Sequence, residues 1–156
     1  ASLYLVLAKW CAHLSHPESP PAPQAPPAFP AIAGIDVADG LERMMGRAHR
    51  YAHLLDMFVR SADDCINACI IAMADGRRED AVREVHSLRG MSGNVGAIQV
   101  ASLAGAVEEQ LRRASGAGPV DAPPSWVALR MELSAVVAAI KAAPLGPILA
   151  IARTQH

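Results

Sequence analysis

His86 is the residue whose neighbours best equip it for chemistry. The run Val85-His86-Ser87-Leu88-Arg89-Gly90-Met91-Ser92-Gly93-Asn94-Val95-Gly96-Ala97 reads as a helix on which positions 86, 90, 93 and 97 share one face. After the histidine that face carries only Gly90, Gly93 and Ala97, so nothing bulky shields the imidazole on its C-terminal side. The three small residues read as an access and docking face. Two glycines inside a helix cost roughly 1 kcal/mol each relative to alanine. Stability does not explain that choice, whereas close approach of another protein does. Arg89, three residues on, can swing beside the ring and offer a cationic donor to phosphate oxygens; Arg83, three residues before, is the weaker candidate. A nucleophilic imidazole must be neutral at the attacking nitrogen. An unperturbed imidazole, with a pKa of about 6.5, meets that need near neutral pH, and a carboxylate on the far nitrogen would fix the tautomer. Glu108 is the candidate carboxylate. It follows Val107 at the edge of an apolar stripe, where it can face the histidine helix, while Glu109 turns further outward.

Other residues could suggest other chemistry, and their spacing argues against it. His49 and His53 stand four apart, but His-Arg-Tyr-Ala-His lacks the glutamate of a zincin helix and no third ligand is evident. No metal site and no cofactor are expected. Gly90, Gly93 and Gly96 do not make a phosphate-cradling loop, since no strand precedes them, the spacing does not suit a dinucleotide and a P-loop lysine is missing. Cys65 and Cys69 lie four apart in a helical pattern and read as small buried hydrophobes, and the odd total of three cysteines fits a reducing cytoplasm.

Positioning such a histidine falls to helices. The chain of 156 residues is 52% apolar but only 4% aromatic, with few β-branched runs, and this favours an all-α fold with one core. A net charge of −1 offers no footprint for a phosphate backbone, so nucleic acid is not an expected partner. Asp36 can cap a short leading helix over 37–45 ended by Gly46. Tyr51, Leu55, Phe58, Ala62, Cys65, Cys69 and Met73 mark one face of a long second helix closed by Asp75-Gly76. A third helix over 79–92 turns Val82, Val85 and Leu88 inward. A fourth carries Val100, Leu103, Val107 and Leu111, and Gly116 and Gly118 end it. After Pro123-Pro124, the stripe Trp126, Leu129, Leu133, Val136, Val137 and Ile140 makes the last helix. Short connections make neighbours antiparallel, so the sum is an antiparallel four-helix bundle with a short leading helix.

The run from His86 to Gly90, followed by Ser92, Asn94 and Gly96-Ala97, with Val107-Glu108-Glu109-Gln110-Leu111 further along, resembles the phosphorylation-site motif of histidine-containing phosphotransfer (HPt) domains. The resemblance covers about residues 35 to 142. It implies that His86 is the phosphoacceptor, that Arg89 assists the phosphate, that Gly90 gives access, and that Glu108 holds the position whose side chain bonds the histidine ring. Glutamate and glutamine both occur there in the family. The implied function is a phosphorelay intermediate in two-component signalling: His86 takes a phosphoryl group from a receiver aspartate and passes it to a response-regulator aspartate. Magnesium would sit on the partner receiver, and the domain would have no kinase activity of its own.

The opening Leu3-Tyr4-Leu5-Val6-Leu7-Ala8-Lys9-Trp10 resembles the final helix of a receiver domain, as found ahead of the HPt domain in tripartite hybrid sensor kinases. Between it and the bundle, residues 16–30 hold seven prolines and a single charge, Glu18, the composition of an extended, semi-rigid linker. The layout expected is a receiver remnant over 1–13, a linker over 14–34, the HPt domain over 35–143 and a tail over 144–156. With no initiator methionine, basic leader or cleavage site, the chain is expected to be a piece of a longer protein. Its apolar stretch over 133–152 is interrupted by Lys141, Pro144, Gly146 and Pro147, so no membrane contact is expected. The expected setting is a cytoplasmic, monomeric domain of an inner-membrane sensor histidine kinase, with the kinase's receiver and a cognate response regulator as partners. Two other readings compete. In a kinase dimerisation and phosphoacceptor domain an acidic residue and a Thr-Pro pair usually follow the histidine, and Ser87-Leu88-Arg89-Gly90 departs from that. A non-catalytic adaptor bundle would have no need of the intact His86.

Overall fold

A computed structural model describes residues 28–151. Asp36 accepts a hydrogen bond from the Asp39 amide through its side chain (3.0 Å) and so caps α1, Val37–Arg43. The helix ends two residues before the predicted boundary, because Met45 and Gly46 both adopt positive φ and turn the chain into α2, Ala48–Ala74. Gly76, with φ +70°, closes α2, and the Arg77 amide reaches back to the Ala72 carbonyl (2.8 Å). The next helix, α3, runs Arg78–Val95, three residues past the predicted end, since Gly93 stays helical and the reversal waits for Gly96 at φ +83°. There the Ala97 amide bonds the Ser92 carbonyl (2.8 Å), and α4, Ile98–Arg113, starts at once.

A connector then crosses the end of the bundle where α2 gives way to α3. The Val120 amide bonds Met73 O (2.8 Å) and the Arg78 guanidinium bonds Gly116 O (2.8 Å). Gln110 of α4 grips Ser125 through both side-chain atoms, just ahead of α5, Trp126–Ala142. A short α6, Gly146–Ile151, follows.

Helices α2 to α5 form the four-helix bundle, with α3 packed between α2 and α4, and α5 closing it against α4 and α2. Every stripe residue predicted for α5 is buried, as are Tyr51, Leu55, Phe58, Ala62, Cys69 and Met73 of α2. On α2, however, Ile66 takes the core place between Ala62 and Cys69 while Cys65 is half-buried, as a step of four from Ala62 requires. Val82 and Leu103 likewise sit at the core's margin. Tyr51 ties the start of α2 to the end of α3: its hydroxyl donates to Val95 O (2.7 Å), and burial together with Asp36 and Asp39 pushes its pKa up to about 12.

The packed unit extends past 35–143 at both ends. Phe29 lies against the Tyr51 ring (centroids 4.9 Å apart) and Ile32 is buried, while Leu145 and Ile148 bury the start of α6 against α2. The predicted receiver remnant over 1–13, and the linker as far as residue 27, lie outside the described residues, as do 152–156. Among the described residues no helix is long and apolar enough to cross a membrane.

Candidate functional site

On α3 the buried face is Ala81, Val85, Leu88, Ser92 and Val95. His86 stands one position round from Val85, with its side chain 66% exposed. Glu108 is next to the fully buried Val107 on α4 and is itself only 1% exposed. The two meet across the α3–α4 seam, His86 Nδ1 lying 3.0 Å from Glu108 Oε1. An ionised carboxylate can only accept, so this bond requires the proton on Nδ1, and in the neutral ring the lone pair is then on Nε2. Glu109 is exposed and pairs with Arg113 (2.9 Å), away from the ring.

Burial on its own would raise the Glu108 pKa. The hydrogen bond from His86, the Arg112 charge and the Arg89 contact outweigh it and hold the carboxyl below its ordinary value. Arg89 approaches the second oxygen, Oε2, at 3.4 Å and is half exposed. Arg83 is turned to Asp80 (3.0 Å). Two further residues belong to this cluster. Arg112, one turn beyond Glu108, pairs with Oε1; a Glu-to-Arg step of four along a helix is the signal for it in the sequence. Gly105 has no side chain to obstruct Arg89, whose Nε lies 3.4 Å from the point where a Cβ would stand.

Gly90 and Gly93 have nothing within 4 Å of a built Cβ, so the surface beyond the imidazole is open. Ala97 does not share it. The helix stops at Val95, Gly96 turns the chain, and Ala97 becomes the N-cap of α4, fully buried. Its assignment to the docking face is therefore corrected: the spacing of four from Gly93 has meaning only while the helix continues. Ser92 is also interior, its hydroxyl donating to Leu88 O (2.7 Å).

The Hpt domain family model matches residues 53–143, more than half of the chain. The chain belongs to the Hpt domain family. Neither the curated proteins nor the solved structures yielded a significant match. Hpt domains carry out phosphotransfer in two-component signalling and interact with receiver domains and response regulators in phosphorelays.

Elsewhere in this Hpt domain, His49 and His53 are exposed on α2. Among the described residues, no three His, Cys, Asp or Glu side chains are grouped to hold a metal. Cys65 and Cys69 are free thiols raised in pKa by burial and by Glu84, Cys69 to about 12. Cys69 packs in the core and donates to Ala81 O (3.7 Å), so neither thiol has the character of a reactive thiolate.

Proposed function

We infer that His86 is the phosphoacceptor of a relay. Its Nε2 attacks the phosphorus of a receiver's aspartyl phosphate in line; the N–P bond forms as the P–O bond to the aspartate breaks, and the carboxylate leaves. The phosphohistidine then serves as donor to the aspartate of a response regulator by the reverse sequence of bonds. Glu108 holds the Nδ1 proton throughout, and Arg89 offers its donors to the phosphoryl oxygens. Magnesium belongs to the receiver's acidic pocket. Gly90 and Gly93 let the receiver come close enough for transfer. A receiver upstream in a hybrid sensor kinase is the donor that the opening residues suggest.

The observation that carries this reading is an exposed imidazole whose Nδ1 lies 3.0 Å from a carboxylate that is 1% exposed. A histidine on a solvated helix face has no need of a buried anion, whereas a nucleophilic one gains a fixed tautomer and a partner for its transient positive charge.

The test is transfer of labelled phosphate from a phosphorylated receiver domain to this chain, with His86→Gln alongside. Acid-labile label on the wild type, and none on His86→Gln, is the expected result. A folded wild type that stays unlabelled with several receivers would favour the adaptor reading.

A further inference from the structure

Two arginines hold Glu108, and they are placed differently. Arg112 lies one turn along the same helix, so its pairing is internal to α4, on the oxygen Oε1 that also meets His86 Nδ1. Arg89 reaches across the seam to Oε2 at 3.4 Å, beyond the usual range of an N–H···O bond. Its chain passes over Gly105 without being wedged there, and it is as exposed as Arg112.

We propose that Arg112 is a positioning residue, the permanent counterion of Glu108, and that it thereby frees Arg89 to leave the carboxylate for the phosphoryl group on His86. This rests on the reading of His86 as the phosphoacceptor. The reason lies in the burial of Glu108. An anion shut off from water cannot be left uncompensated without a large penalty or a captured proton. Were Arg89 its sole cation, each move to the phosphate would strand the carboxylate. Protonated, the carboxyl would have no charge to offset the ring at the moment when attack by Nε2 makes it cationic. With Arg112 fixed beside Oε1, Glu108 stays ionised while Arg89 moves.

The titratable and charged groups facing Glu108 are His86 and Arg89 from α3 and Arg112 from α4 itself; among the described residues α5 contributes no ion pair to it. The assignment is thus separable by mutation. Arg112 is half exposed, so its variants should fold, and urea unfolding checks that they do.

The experiment measures transfer from a phosphorylated receiver domain to the full chain for wild type, Arg112→Gln, Arg112→Lys, Glu108→Gln and the double variant Glu108→Gln/Arg112→Gln. Arg112→Gln is expected to slow transfer about tenfold, equivalent to about 1.4 kcal/mol of transition-state stabilisation, and to move the acid limb of the rate profile to higher pH. Arg112→Lys restores most of the rate. In the Glu108→Gln background no anion needs a counterion, so Arg112→Gln brings no further loss. An equal loss in both backgrounds would mean that Arg112 touches the receiver directly, and no loss in either would mean that Arg89 suffices; each overturns the proposal.

Nitrogen-15 shifts of the His86 ring decide the point without any receiver. With Arg89→Gln standing for the departed arginine, adding Arg112→Gln should shift the neutral ring away from the Nδ1–H tautomer, as the stranded Glu108 takes up a proton, and an unchanged tautomer ratio overturns the proposal. An unlabelled wild type would count against the phosphoacceptor reading, while the ring shifts would still test the role of Arg112.

Discussion

Gly90 and Gly93 on the exposed side of α3 contrast with Gly40 and Gly96 where that helix is joined to α1. At Gly40 a Cβ would run into the Tyr51 ring, and at Gly96, with φ +83°, into the Asp36 backbone. That carbonyl and the Gly96 carbonyl belong to one contact, because the Asp36 amide donates to Gly96 O (2.8 Å). Around Gly90 and Gly93 a Cβ would meet nothing within 4 Å. The first pair is required from within, by the close approach of two chain segments. The second pair is not required by the fold and even weakens the helix. A side chain omitted where the interior does not demand it marks a surface kept clear for something outside, and here that surface adjoins the one imidazole backed by a buried carboxylate among the described residues.

The comparison breaks if the two pairs respond alike to substitution. The largest effect should come from Gly96→Ala, which combines a left-handed backbone with a clash against Asp36 and should lower the unfolding free energy by about 3 kcal/mol. Urea denaturation measures it, and transfer per folded molecule should change little by comparison. Gly90→Gln should do the reverse. Stability should hold or rise by up to about 1 kcal/mol, because the helix loses a glycine, while phosphoryl transfer from a receiver should fall about tenfold, equivalent to about 1.4 kcal/mol of transition-state stabilisation. Should Gly90→Gln transfer at the wild-type rate, the open surface is not where the partner docks.

Much of this is legible in the sequence. The α5 stripe has a clean helical period and no competing polar residue, and each of its six members is buried. The pairing of His86 with Glu108 rather than Glu109 follows from one step past Val107, since an angle of about 100° per residue separates a carboxylate at the seam from one in the solvent. Ala97 misleads because periodicity does not reveal where a helix stops; Gly96 can be read as one more small residue or as the reversal that it is. Arg112 is hidden from any reading that follows the histidine helix alone, although Glu108 and Arg112 have the ordinary spacing of a helical ion pair. Phe29 and Ile32 are masked by a proline-rich run whose composition suggests a spacer, yet a single ring packed on Tyr51 is enough to anchor its end. The helix α6 is six residues long with a proline at its second position, too short to establish a period.

Glu108 gives the smallest and most discriminating prediction, because it belongs to both sides of the comparison: the core encloses it, yet its charge is turned to the open surface. Its pKa in the folded protein lies below the ordinary value, with the His86 hydrogen bond and the Arg112 and Arg89 cations overcoming burial. The folded state therefore favours the ionised form. That contribution is fully present above the unfolded pKa of about 4.3 and is lost as pH falls through the lower folded value. Unfolding free energies of wild type and Glu108→Gln, followed from pH 7 downward, should run parallel near neutrality and then converge below about pH 4.3, as the wild type alone gives up its paired carboxylate. Curves that stay parallel to the acid end would mean that the ion cluster adds nothing to stability. The glutamate would then be kept, like Gly90 and Gly93, for the partner's sake alone.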